Sequence, residues 1–234
     1  MKKGIKPDEY LRLPTSTLLE KFGEGSHIPG SGSASALSAL LAIELMITVC
    51  KLTTTKENYR NVRDELQYMQ SQLEVLHKPK LKELFIKDIE VFDVVSKIRK
   101  RRDRETDPKI KTLLTRQATD RLKEATDIPI EICRQSLTLT AFAFSIFDKG
   151  FQSAQGDSGV AISNLLSAIS GSLFVTLLNL KTARKSKWTE DLRKTTESLA
   201  KEYQKTHREA IKRVLHLYTT GLPEGTDQIL LELD

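Results

Sequence analysis

Cysteine is nearly absent from this chain of 234 residues. Only Cys50 and Cys133 occur, each inside an apolar run, which excludes a disulfide framework and a cysteine metal site and fits a reducing cytoplasm. The four histidines, His27, His77, His207 and His216, form no His-x-x-x-His pair and have no thiol nearby, which argues against histidine or thiolate metal chemistry. The first eight residues, Met1 to Asp8, are charged and carry no apolar signal core, which argues against secretion through a cleaved signal peptide. A large excess of charge is also missing: 37 Lys and Arg against 31 Asp and Glu leave +6. Such a chain attracts anions without resembling a nucleic-acid tail. Glycine and proline together make only 18 residues, and no glycine occurs from Ser33 to Lys149.

Long intervals of Ala, Leu, Lys, Glu and Gln fill the space between these rare residues, and they predict an all-α multi-helix bundle in one domain spanning residues 1–234. Helices are expected over about 33–52, 56–77, 80–102 and 158–180, and finally 189–218. A long helical stretch from Lys109 to Phe147 should be interrupted near Pro129, and Lys78-Pro79 should break the third helix from the fourth. A short first helix should end near Gly23, with Thr17 and Glu20 in capping-box spacing. Small residues recur every four positions at Ala34, Ser38 and Ala42, and again at Ser163, Ser167 and Gly171, so these two helices should lie deep in the bundle with their backbones close together. Each run is about 20 residues long, the length of a membrane span. Glu44 inside the first, Asn164 and Asn179 in the second and the missing aromatic belts argue instead for core helices and no membrane partner.

Seven of the eleven glycines fall in two short windows, 23–32 and 150–159, each opening onto one of the small-residue helices. Free amides at a helix start can bind an anion or a carbonyl-rich heterocycle, although a flexible connector with a serine N-cap explains the first window equally well. No strand precedes it and no Gly-Lys-Ser/Thr follows, so it is neither a dinucleotide fingerprint nor a triphosphate loop. Asp157 reads as the N-cap of the later helix, and the two windows together can bring two helix N-termini and one carboxylate to a shared cleft. Asp88 sits at the margin of the face formed by Phe85, Ile89 and Phe92, where an ordinary surface acid is the simpler reading; Lys56 and Tyr59 likewise read as surface residues. The stretch 97–116 holds nine basic and three acidic residues but no interleaved aromatics, so a solvated charged turn is expected there rather than a nucleic-acid surface.

The order of segments resembles the formiminotetrahydrofolate cyclodeaminase and methenyltetrahydrofolate cyclohydrolase family. The resemblance rests on Ser16 to Phe22, then Pro29-Gly30-Ser31-Gly32-Ser33, similar to the family's Pro-Gly-Gly-Gly-Ser helix opening, and on Leu52-Thr53 with Lys56 and Tyr59. It continues through Asp88 to Phe92, Ala125 to Pro129, Gly150, Asp157 with Val160-Ala161, and Asn179-Leu180. The chain departs from the family pattern at Ser31, Thr55, Phe151, Gly156 and Val175, and the histidine that animal cyclodeaminases carry early in the third helix is absent between Asn58 and Gln67.

The resemblance implies an all-α homodimer acting on a one-carbon unit attached to or bridging N5 and N10 of tetrahydrofolate. It implies Asp157 and Asp88 as the catalytic carboxylates, and Gly30, Ser31, Gly32, Ser33, Lys56, Tyr59 and Asn179 as substrate contacts. Lys56 would meet the anionic folate tail, and no metal or redox cofactor is called for. Cyclisation with loss of ammonia and hydrolysis of the methenyl bridge both pass through a tetrahedral centre, so both need proton transfer beside a cationic amidine. The polar positions lost from the pattern keep open a second reading, a catalytically silent scaffold that binds another small ligand or a protein partner.

Overall fold

In a computed structural model of the protein, described over residues 5–221 and with side chains to residue 217, every regular element is helical. After a 3₁₀ turn at Pro7–Arg12 come α1 (Thr15–Gly23), α2 (Ser31–Thr54), a 3₁₀ turn (Glu57–Val62) and α3 (Arg63–Gln72). A π turn (Leu73–His77) leads into α4 (Lys78–Arg104), followed by α5 (Pro108–Lys149), a 3₁₀ turn (Gln152–Ala154), α6 (Gln155–Thr182) and α7 (Lys187–Gly221). The all-α expectation holds.

Several local expectations are corrected. The capping box at Thr17 and Glu20 does not form: α1 begins at Thr15 behind Pro14, whose fixed φ starts the helix without a side-chain cap. Lys78-Pro79 does not break the chain, because a π turn carries it into α4 and Pro79 falls in the first turn, where no intrahelical N–H is needed. Pro129 does not interrupt α5, which runs unbroken for 42 residues. The lost amide there is outweighed by packing, since Ile128, Pro129 and Ile130 are all buried. The start of α5 follows the expected physics, with Asp107 accepting from Lys109 N at 2.7 Å and Pro108 in the first position.

Helix α2 is apolar on nearly every face, with Ala36, Ala39, Ala42, Ile43, Met46, Val49 and Cys50 fully buried, which is the pattern of a central helix. Both α2 and the segment Gln152–Thr182 are long and apolar enough to cross a membrane, yet α2 is enclosed by its neighbours. Its principal partner is α6. Gly171 lies against Ser35, whose Oγ stands 2.5 Å from where a β-carbon would be, and at the other end Gly150 packs on Val49. Phe151 N then donates to Thr53 Oγ1 at 2.9 Å. These contacts make α2 and α6 antiparallel. Gly171 of the expected small-residue stripe makes the close approach, whereas Ser163 and Ser167 lie on the exposed side of α6.

Helix α4 also runs against α2, pairing Lys78 with Glu44 at 2.5 Å and Asp88 with Ser33. Beyond Asp88 it continues for 16 residues, about 24 Å at the helical rise, so the end of α4 and the start of α5 form a hairpin that carries the basic stretch 97–116 past the start of α2. A second apolar cluster, including Ile130, Cys133, Ile169, Leu192 and Leu199, fastens α7 to α5 and α6. Arg213 adds an ion pair to Asp148 at 2.6 Å and stacks on Phe144.

Two glycines test this packing in opposite directions. A β-carbon at Gly150 would collide with the Ile146 carbonyl, whereas at Gly156 nothing lies within 4 Å. Gly150→Ala should therefore lower unfolding free energy by about 1–3 kcal/mol, while Gly156→Ala should raise it by about 0.5–1 kcal/mol. Urea titration of the two variants checks both signs.

Candidate functional site

The first glycine window ends in a built structure. Gly30 is the N-cap of α2, and Ser31, Gly32 and Ser33 are its first three residues, so the serine N-cap is corrected to glycine. From α4, the Asp88 carboxylate reaches the free amides of this helix start. Its Oδ2 accepts from Ser33 N at 2.7 Å and from Ser33 Oγ at 2.6 Å. A β-carbon at Gly32 would fall on the Asp88 carboxylate, so glycine is the residue that lets the carboxylate close on the helix. Asp88 is only 8% exposed and thus not the surface acid of the simpler reading; its place on the inner margin of the Phe85 and Ile89 face turns it into the bundle.

Burial pushes the Asp88 carboxyl above the ordinary aspartate value of 3.8, and the two Ser33 hydrogen bonds pull against that rise. No cation pairs with it among the described residues, and Oδ1 is left without a hydrogen bond. A largely buried carboxylate with no counter-charge and a free Oδ1 is a place where a bound cation gains most. Nearby, His27 in the glycine loop turns Nε2 toward Asp93 Oδ1 at 3.5 Å, one helical turn and a residue past Asp88. This pair escaped the sequence reading, because 66 residues separate its members and neither belongs to a recognisable motif.

The second window lies elsewhere. Lys56 Nζ sits 4.0 Å above the Phe151 ring, Tyr59 meets that ring edge-on, and Tyr59 OH accepts from Gln152 N at 3.2 Å. Tyr59 and Lys56 are therefore fitted to this loop. Asp157 is not the cap of α6: Ala154 is, and Asp157 occupies the third helical position, half-buried, with no side-chain hydrogen bond or ion pair among the described residues. The 3₁₀ turn Gln152–Ala154 starts the helix three residues earlier than the glycine spacing suggests.

The antiparallel pairing separates the two windows. From Ser33 to Thr53 is about 30 Å along α2, and from Asp157 to Asn179 about 33 Å along α6. Gly30, Ser31, Gly32, Ser33, Asp88 and Asn179 gather at one end of the helix pair, and Lys56, Tyr59 and Asp157 at the other. The shared cleft expected from sequence does not exist within one chain. A cavity of about 1140 Å³ opens between the ends of α6 and α7, lined by Leu177, Leu180, Lys181, Arg193 and Ala200, but it includes none of these site residues. Among the described residues no group of three or more side chains is arranged to hold a metal.

The bundle thus closes a buried carboxylate on the free-amide end of its central helix. The comparisons with known proteins give the particular class. The family model for formiminotransferase-cyclodeaminase matches residues 14–198, and the chain belongs to that family. It is 27% identical over 189 residues to a methenyltetrahydrofolate cyclohydrolase of Methylorubrum extorquens, covering 80% of this chain and 88% of that one. Its fold matches the crystal structure of formiminotetrahydrofolate cyclodeaminase from Thermotoga maritima with a TM-score of 0.76 at 19% identity, over 89% of this chain and 98% of the other.

The raised Asp88 carboxyl has a signed consequence. Its proton is bound more tightly folded than unfolded, so its contribution to stability is full below 3.8 and is lost as pH rises through the higher folded-state value. Asp88→Asn should remove that fall, giving a flatter stability curve across this interval, as urea titrations at stepped pH would register.

Proposed function

We propose that the protein is a folate one-carbon enzyme of the cyclohydrolase type, opening the methenyl bridge between N5 and N10 of tetrahydrofolate by addition of water. The observation that carries this reading is the buried Asp88 carboxylate with no cation of its own. The methenyl group is a cationic amidinium, and its positive charge beside Asp88 would restore the interaction that burial removed. Water attacks that carbon, and the neutral tetrahedral adduct then opens to a formyl group. Ser31 and Gly32, with free first-turn amides, are suited to the carbonyl and ring nitrogens of the pterin.

The reading requires two copies of the chain. The outward face of α6 carries no charged residue between Asp157 and Lys181; it presents Val160, Ser163, Ser167, Phe174, Leu177 and Leu178, with Phe174 69% exposed. A two-fold axis near Ser167 would pack this face against its own copy in antiparallel fashion. Asp157, Lys56 and Tyr59 of one copy would then stand beside Asn179, Asp88 and Ser33 of the other, completing at each end a site that neither chain holds alone. Lys56 would meet the glutamate carboxylate of the folate, and Asp157 the pterin or the reacting carbon. The buried thiols Cys50 and Cys133, both pushed up to about 12 by desolvation, suit a cytoplasmic enzyme that makes no use of sulfur chemistry.

One observation favours the silent scaffold. Lys56 is already engaged over Phe151, which stands where the family pattern has a polar residue, so the tail contact competes with an internal one. Mixed dimers discriminate. Asp88→Asn and Asp157→Asn should each abolish methenyl hydrolysis, and an equal mixture re-equilibrated through dissociation should recover about a quarter of wild-type turnover, because half the dimers are mixed and each has one intact site. Full activity in either variant sinks that carboxylate's role. If 5-formyltetrahydrofolate at millimolar concentration also fails to raise the melting temperature, the scaffold reading stands instead.

A further inference from the structure

Hydrolysis of an amidinium needs a group that accepts a proton from water and returns one to the departing nitrogen. Asp88, on α4, is fixed against α2 by the two hydrogen bonds that its Oδ2 accepts from Ser33, and its charge is the partner of the cationic substrate. Asp157 of the same chain stands about 30 Å away, and Asp157 of the other copy, which the dimer brings to this end, is placed to meet the pterin. At the Asp88 end, His27 is the side chain whose chemistry suits proton exchange near neutral pH.

Its setting is that of an oriented base. His27 lies in the glycine loop three residues before the Gly30 N-cap, and its carbonyl would stand 3.1 Å from a β-carbon on Gly30. The ring packs against Phe92, with centroids 6.3 Å apart, one turn along α4 from Asp88. Nε2 is buried, has no hydrogen bond and faces Asp93 Oδ1 at 3.5 Å. Nδ1 makes no hydrogen bond either, and it is not buried, so the second nitrogen is free for a ligand or water while the first faces a carboxylate. With Nε2 turned to a carboxylate 3.5 Å away and Nδ1 open, closing that short gap on substrate binding would fix the tautomer of the imidazole.

We propose that His27 is the acid–base residue of this site and that Asp93 is its positioning residue, an inference that rests on the folate reading above. Nδ1 takes a proton from water as its oxygen bonds to the methenyl carbon and the C=N π pair moves onto nitrogen. The imidazolium then gives that proton to the departing folate nitrogen as the carbon–nitrogen bond breaks. The adduct's hydroxyl proton leaves to solvent as the formyl C=O forms, so one water is consumed and one proton released overall. The charged and titratable groups around the pair are Asp93 and Lys97 from α4, Tyr10 from the first 3₁₀ turn, and Lys21 and Glu24 from α1.

Steady-state hydrolysis of 5,10-methenyltetrahydrofolate, followed by loss of the methenyl chromophore, tests this in the wild type, His27→Gln, His27→Ala, Asp93→Asn and Asp93→Glu, with melting temperatures confirming that each is folded. His27→Gln should lower kcat by about 10²–10⁴-fold with KM little changed, and added imidazole should restore part of the His27→Ala rate. Asp93→Asn should lower kcat with KM little changed, and Asp93→Glu should recover part of that loss. A wild type that hydrolyses the substrate alongside a folded His27→Gln variant of equal kcat overturns the assignment alone. A wild type with no hydrolysis overturns the folate reading and the assignment with it.

Discussion

The close antiparallel contact between α2 and α6 is the constraint on which the rest of the structure depends. It needs a missing side chain at Gly171 opposite Ser35 and at Gly150 opposite Val49, and the Phe151 to Thr53 hydrogen bond closes the far end. With the two backbones this near, α2 buries most of its apolar side chains and α6 is left with one outward stripe. That single geometry decides two functional matters at once. It sends the two glycine windows to opposite ends of the pair, and it leaves an uncharged surface running from one end to the other.

A second balance operates at the start of α2, where stability and chemistry pull in different directions. Desolvation penalises the charged form of Asp88, and two hydrogen bonds from Ser33 only partly offset it. An apolar residue in its place would be the cheaper solution for a bundle of this kind. What the carboxylate brings is a negative charge ready for a cation, held in place by a helix start that Gly32 keeps open. In the proposed reaction the substrate supplies that cation, and the Ser31 and Gly32 amides beside the Ser33 amide that binds Asp88 meet the pterin. Glycine at position 32 thus serves both the packing and the site.

The fold was readable from sequence to the extent that it depends on local physics. Runs free of glycine and the Asp107-Pro108 start of α5 have direct counterparts in the structure, whereas of the small-residue stripe on α6 Gly171 meets α2 and Ser163 and Ser167 face outward. Errors arose where tertiary packing overrode a local preference, as at Pro129, or where a neighbouring turn moved a boundary, as at Asp157, which a 3₁₀ segment displaced from the cap to the third helical position. The site was readable only in pieces. Each residue could be picked out by its type and its place before a helix, but helical periodicity carries no information about which ends of two helices meet. The contacts that settle it join residues 55 and 98 positions apart. The burial of Asp88 and the approach of His27 to Asp93 are likewise long-range facts without a local signature.

The central claim is that one site is shared between two antiparallel copies, and cysteine cross-linking across the α6 face tests it directly. Cys50 and Cys133 are buried and their thiols poorly ionised, so new surface cysteines can be read against a quiet background. Val160 and Phe174 lie seven residues to either side of Ser167 and are both exposed. The account predicts that Val160→Cys and Phe174→Cys proteins, mixed and oxidised, form a disulfide-linked dimer far more readily than either protein alone, and that Ser167→Cys links to itself. Linkage of Val160→Cys to its own copy, with no gain on mixing, would show the two helices running parallel and would contradict the shared site.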